Sequence, residues 1–356
     1  MIVVRSPGRV NIIGEHTDYA LGYVMPMAIQ LGTTLEAEAS LDGRTCIYSE
    51  AVGEEACFGD ELTREGRWID YVKGVYHAIR LRGLRYVHIT GRLTGDLPMS
   101  SGLSSSASLE MAVAVAQNEL GRLGLDKLSL ARLGVTAEND FLGIPSGILD
   151  QFAVVMGEEG RAVFTDTETL RYEYVPVPDG VEFLVFHTGI RRAVAGTEYS
   201  NRVSVVKSAL RELGLRSSKE ADESMLSRLS AEQRKRLGYV IRENRRVLEA
   251  RDAMKEGDVV RLGRILTEAH WDLAKEYEVS VPELDFFVEF AKSHGAYGAR
   301  LTGAGFGGAA IALVDKGKGE QLGREAEQEY VRRFPHRPQH WVVTPSAGAR
   351  VVERRP

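Results

Sequence analysis

Amide side chains are scarce in this chain: Asn and Gln together number only twelve among 356 residues, while Lys, Arg and Glu are abundant. Few amides with many charges is a thermophile composition. Cysteine is nearly absent. Cys46 and Cys57 stand alone and form neither a C-x-x-C pair nor a zinc spacing. This suits a reducing compartment and leaves one disulfide as an open option. Positive charge is not in excess, since the net charge is −5. That argues against nucleic acid as a partner. No apolar run approaches the ~18 residues that a membrane helix needs. The start, Met1 to Pro7, lacks a basic stretch followed by an apolar one, so no secretory leader is read. A cytoplasmic protein with no membrane partner is expected. Also missing are the Walker pattern G-x-x-x-x-G-K-[ST], the G-x-S-x-G elbow, the metal pattern H-E-x-x-H and any internal repeat.

What is present is a soluble globular balance, 44% apolar and 27% charged. The length suits two cores better than one. Alternating runs such as Thr34–Ala39 and Tyr86–Ile89 predict strands. Helical periodicity predicts a helix over 68–80, a second after a Ser/Gly-rich turn, and a third over 130–141. A hairpin is expected over 162–177, turning at Asp166–Glu168. The breakers from Pro176 to Gly180 mark a boundary between residues 1–178 and 179–356. Past a strand at 182–186, helical patterns dominate to about residue 294, and Ser217–Gln233 reads as a mobile excursion. Strands and helices mixed without strict alternation predict an α+β protein.

Four segments carry chemistry. Pro98 to Ser108 is a run of small residues leading into an apolar helix. Small residues let backbone N–H groups approach an anion, and the helix start adds unpaired donors. An ordinary serine cap is the competing reading. Arg9 to Tyr19 gathers a cation, carboxylates, an imidazole and hydroxyls, as polyol recognition requires. A solvated surface turn is its plain alternative. Glu138 and Asp150 frame a Gly/Pro turn. Asp150 is either a helix cap or a working acid/base, and the bare sequence favours the cap. Gly303 to Gly308 fits G-x-G-x-x-G, but the apolar run after it reads as a strand. A glycine-rich hairpin is expected there, not a dinucleotide site. His270 and His294 sit in helical patterns and read as structural or solvated.

In this order the segments resemble a known family. Arg9 to Tyr19 closely resembles the galactokinase signature, and Gly147 to Gln151 is similar to the galactokinase segment around the catalytic aspartate. Pro98 to Ala107 and Leu301 to Gly308 resemble the phosphate loop and third motif of the wider GHMP small-molecule kinase superfamily. The resemblance spans nearly the whole chain, closest to compact archaeal-type galactokinases.

It implies the two-domain GHMP kinase fold with the active site in the cleft between domains. It implies ATP and galactose as ligands, Mg²⁺ as cofactor, and a monomer or weak dimer. Asp150 would take the proton of the sugar hydroxyl, with Arg9 as its cationic neighbour. Glu15, His16, Thr17, Asp18, Gly147 and Tyr199 would contact the sugar. Ser100, Ser101, Gly102, Leu103, Ser104, Ser105 and Ser106 would cover the ATP phosphates, with Trp68 near the adenine. Ser106 and Glu138 would hold the metal. Two positions depart from the family: Ser100 and Ser101 replace Gly or Ala, and Ser146 stands where many members have cysteine. Kinases of other galacto-sugars, of homoserine or mevalonate, and a non-catalytic galactose sensor are the rivals.

Overall fold

The computed structural model describes residues 1–98, 102–190 and 195–355. Its first apolar run, Ile2–Ile13, forms strand β1, buried along nearly its whole length. The remaining strands are β2 (Tyr23–Ala39), β3 (Thr45–Ser49), β4 (Glu54–Phe58), β5 (Ile89–Gly95), β6 (Arg161–Asp166), β7 (Tyr172–Pro176), β8 (Val181–His187), β9 (Gly298–Thr302), β10 (Ala309–Asp315), β11 (Gln339–Val343) and β12 (Arg350–Arg354). They build two sheets. The larger has the order β12-β1-β2-β5-β3-β4, and β6 pairs with both β2 and β7. The smaller is antiparallel, in the order β11-β8-β10-β9. β7 ends at Pro176 and β8 begins at Val181, so the breaker-rich stretch separates the sheets. The last strand, β12, returns to pair with β1.

Helices α1 (Ile69–Leu81), α2 (Ser105–Leu120), α3 (Lys127–Thr136) and α4 (Leu149–Met156) belong with the first sheet. Helices α5 (Ala195–Glu212), α6 (Ala231–Glu256), α7 (Val259–Asp272), α8 (Pro282–Ser293) and α9 (Gly319–Tyr330) follow β8. α2 is rich in Ala, Leu, Met, Glu and Gln, strong helix formers, and is buried over most of its length. Val10, Ile12 and Ile13 of β1 pack with Phe183 and Val185 of β8 and Ile311 and Leu313 of β10. The two sheets therefore share apolar surface, and burying it holds the halves together.

Several expectations are corrected. Tyr86–His88 is not strand; β5 starts at Ile89, because the Gln117 side chain bonds the Val87 amide and carbonyl that a ladder would use. The third helix begins at Lys127, where the Asp126 carboxylate caps Ser129 N–H at 2.7 Å. It passes into a π-helical turn over Ala137–Leu142. Ser217–Gln233 folds into two short 3-10 turns and the start of α6. Its polar side chains are spent locally: Ser217 donates to Leu21 O at 2.9 Å, Asn244 donates to Ser218 at 3.0 Å, and Ser230 and Gln233 form a capping box. Cys46 and Cys57 face each other across β3 and β4 and are joined as a disulfide. No helix among the described residues is long and apolar enough to cross a membrane.

Candidate active site

Strand β1 ends inside the molecule, and the turn after it lines a cavity of about 300 Å³. Alternation along β1 brings Arg9 and Asn11 to this cavity together. The turn adds Glu15, His16 and Asp18; the π-helical turn adds Glu138; the start of α4 adds Gly147, Asp150 and Gln151. From the other half come Tyr199 on α5 and Gly303 and Ala304 of the β9–β10 turn. The cleft thus draws on both sheets.

Arg9 is its central cation. Its Nε and Nη2 lie 2.8 and 2.6 Å from Asp150 Oδ1. Its Nη1 donates to Gly102 O at 2.8 Å, and its amide donates to Leu103 O at 3.0 Å. Ser104, in left-handed backbone, donates to Asp150 Oδ2 at 2.5 Å. The cap reading of Asp150 is corrected by this geometry. The cap position of α4 falls on Ile148, and the Asp150 carboxylate is taken by Arg9 and Ser104. A carboxylate in the first turn is also favoured by the helix dipole.

The expected sugar contacts are mostly gathered here. Glu15 is buried, ion-paired with Arg300 of β9, and accepts the Gly303 amide at 3.0 Å. Burial, opposed by Arg300, pushes its carboxyl up to about 7. Asp18 is pushed up to about 6, again chiefly by burial. Gly147 is required beside it, since a Cβ there would sit 1.9 Å from Asp18 Oδ2. His16 bonds Ala304 O at 3.1 Å through Nε2 and Tyr19 at 3.0 Å through Nδ1. A carbonyl only accepts, so in the neutral ring Nε2 carries the proton and Nδ1 accepts from Tyr19. Tyr277 completes the chain at 2.5 Å from Tyr19. Tyr199 stands 5.7 Å from the His16 ring. Thr17 does not join the others. It is fully buried and bonds Gly14 O and Tyr23 O at 2.9 and 2.6 Å, which shapes the turn.

The expected nucleotide residues divide. Ser100 and Ser101 lie outside the described residues. Gly102 and Leu103 carry the carbonyls that hold Arg9. Ser105 and Ser106 open α2, where backbone N–H groups lack helical partners. With Trp68, Tyr71 and Leu97 they line a second cavity of about 250 Å³. Glu54 holds the Trp68 indole N–H at 2.7 Å.

Among the described residues, no three His, Cys, Asp or Glu side chains cluster as metal ligands. Ser106 lines the second cavity and Glu138 the first, so the structure does not place both expected metal residues in one wall. Yet the donor chemistry fits a hard cation. Burial pushes Glu138 up to about 7, and the charge of Asp150 adds to that. Glu110 behind it is also raised well above the ordinary carboxyl range, by burial and by Glu138. Four carboxyls line the cleft; Glu15 is paired with Arg300 behind it, which leaves Asp18, Glu138 and Asp150 with one guanidinium, that of Arg9, among the described residues lining it. An oxygen-seeking divalent ion completed by phosphate and water would relieve that excess.

Residues that the sequence reading did not single out complete the cleft. Asn11 is buried, and among the described residues neither of its side-chain polar atoms has a hydrogen-bond partner. Its position two residues from Arg9 on a strand was the available signal. Gln151 donates to buried Glu110 at 3.1 Å, a pairing no spacing discloses.

A helix start with unpartnered backbone donors, a guanidinium-paired aspartate and a carboxylate-lined cleft thus lie between two α+β halves, the arrangement of a GHMP-type small-molecule kinase. The "GHMP kinases N terminal domain" model matches residues 70–158 and the "GHMP kinases C terminal" model matches 250–332. The Methanococcus jannaschii mevalonate kinase shares the fold, with a TM-score of 0.70 at 18% identity over 97% of this chain and 98% of that one. The "Galactokinase galactose-binding signature" matches residues 1–38. The Pyrococcus furiosus galactokinase is 53% identical over 98% of this chain and 99% of its own length. The Lactococcus lactis galactokinase, solved in complex with galactose, gives a TM-score of 0.93 at 35% identity, covering 98% of this chain and 94% of that one. The chain belongs to the galactokinase family.

Proposed function

We propose that this protein transfers the terminal phosphate of ATP to the anomeric hydroxyl of D-galactose, giving galactose 1-phosphate and ADP. The carrying observation is the Arg9–Asp150 pair, which joins the phosphate loop to the sugar-side residues in one cleft. The halves 1–178 and 179–356 are the two catalytic domains in this reading. The enzyme works in the cytoplasm as a monomer or weak dimer.

Phosphoryl transfer asks a protein for alignment and charge stabilisation more than for covalent chemistry. Asp18, Glu15, His16 and Tyr199 orient the hexose. Asp150 accepts the proton of the attacking hydroxyl, and Arg9 keeps that carboxylate charged and steadies the phosphoryl oxygens. The start of α2 supplies backbone donors to the phosphates. Ser106 and Glu138 would hold Mg²⁺, which supplies positive charge to the phosphate oxygens.

A panel of sugars with purified protein, ATP and Mg²⁺, read by ADP release, tests the assignment. Turnover should be greatest with galactose. Faster turnover of N-acetylgalactosamine or galacturonate would move the substrate, and galactose binding without ADP release would leave only a sensor.

A further inference from the structure

Behind Glu15 lies a row of alternating charges. Arg242 pairs with Asp272 at 2.7 Å, and Asp272 also takes Arg246. Arg246 reaches Glu243 at 2.8 Å, Glu243 lies 3.4 Å from Arg300, and Arg300 pairs with Glu15. The row crosses α7, α6 and β9 and ends on the turn after β1. It begins with Arg242, whose side chain is 34% exposed, and passes through Glu243 and Arg300, which are 0% exposed.

Buried charges are costly unless paired, and apolar side chains of similar volume fill such space at least as well. Packing alone therefore does not account for the row. Its backbone partners converge on one segment. Arg300 Nη1 donates to Ile12 O at 2.9 Å, the Gly14 amide donates to Glu243 at 3.0 Å, and Tyr239 donates to Glu15 O at 3.0 Å. Arg300 and Glu243, with Tyr239 beside them, thus hold the turn that presents Glu15 to the cleft, and the rest of the row stands behind Glu243.

We propose that Arg300, set by Glu243 and Arg246 behind it, is a positioning residue for Glu15, fixing both the direction and the charge of that carboxylate in the sugar cleft. The inference rests on the reading of Glu15 as a sugar contact. Facing Glu15 are Arg300 from β9, Glu243 and Tyr239 from α6, and the Gly303 amide; His16 adjoins it, and Asp18, Arg9, Glu138, Asp150 and Tyr199 line the same cleft. Arg300 lowers the pKa of Glu15 and Glu243 raises it.

The alternation makes the sign of each substitution alternate. Glu243→Gln removes a negative neighbour and a competitor for Arg300, so Glu15 ionises at lower pH. Arg246→Gln leaves Glu243 to draw on Arg300, so Glu15 ionises at higher pH. A purely structural role would move both variants the same way.

The test is calorimetric titration of the full chain with galactose, without nucleotide, from about pH 5.5 to 8.5, with melting curves to confirm folding. Wild-type affinity should rise with pH as Asp18 and, at higher pH, Glu15 ionise, and the upper midpoint reports Glu15. The midpoint should fall in Glu243→Gln and rise in Arg246→Gln. Arg300→Lys should weaken galactose binding about tenfold, the loss of one charge-assisted hydrogen bond, with the KM for ATP within about twofold. If Arg300→Lys fails to fold, the two opposite shifts still decide. Midpoints that stay fixed or move together, while Glu15→Gln weakens galactose binding, overturn the positioning role alone. If Glu15→Gln leaves galactose binding unchanged, the sugar-contact reading falls and this inference falls with it.

Discussion

Arg9 and Asp150, 141 residues apart in sequence, meet through one carboxylate oxygen, with Arg9 Nε at 2.8 Å and Nη2 at 2.6 Å from Oδ1. The other oxygen accepts Ser104 Oγ at 2.5 Å. The segment at Gly102 and the Asp150 carboxylate are therefore bound into one unit, because Arg9 Nη1 also holds Gly102 O.

Ser104 is consequently expected to act on Asp150 as well as on nucleotide. Ser104→Ala removes one hydrogen bond to a charged acceptor, worth roughly 1.5–3 kcal/mol. The expected result is a kcat lowered at least about tenfold with the KM for galactose nearly unchanged. Steady-state kinetics at saturating ATP checks this.

Gly147 leaves room for Asp18, and any side chain would collide with its carboxylate. Gly147→Ala should raise the KM for galactose by about tenfold or more, as a misplaced polar contact does. Asp18→Ala should show the same direction more strongly. ATP affinity should stay close to wild type in both. Separate titrations with galactose and with nucleotide distinguish this from general damage.

The buried carboxyl of Glu138 titrates near 7, well above its ordinary 4.5. Between those values the folded chain keeps a proton that the unfolded chain has released. Stability from this group is thus highest in acid and falls as pH rises through that window. Glu138→Gln removes the effect. Relative to wild type, the variant should gain stability from pH 5 to pH 8, by up to about 3 kcal/mol. Denaturant melts at the two pH values measure the difference, and Mg²⁺ with nucleotide should offset the wild-type loss.

Chelation of Mg²⁺ should stop phosphate transfer while leaving galactose binding intact, because the sugar-side residues need no metal to hold their places. An ADP-release assay with excess chelator, paired with calorimetry for galactose, separates the two effects.

Much of the site could be read from the sequence because its parts are contiguous. Arg9 to Asp18 is one strand and one turn, and Gly147 to Asp150 is one helix start. The helix after Ser104 and the β9–β10 hairpin were also legible, from small residues followed by an apolar run and from apolar runs around glycines. The bare residues around Asp150 favour a cap and only the family resemblance reads it as a proton acceptor, because the residues that take its carboxylate come from 46 and 141 positions away. The direction of the Thr17 hydroxyl is not legible in the sequence, because it depends on backbone folding back over it, here Gly14 and Tyr23. The charge row behind Glu15 was invisible, since its members span 15 to 300 and look like ordinary surface charges of helices. The excursion over 217–233 is polar for a local reason, capping, and not for want of order.

The decisive measurement is single-turnover phosphate transfer by Asp150→Asn, with galactose binding measured on the same sample. Loss of the proton acceptor should slow transfer by at least about 10²–10⁴-fold, while the galactose dissociation constant stays within a few-fold of wild type. Near-normal transfer by that variant would contradict the role given to Asp150, and with it the mechanism built on the Arg9 pair.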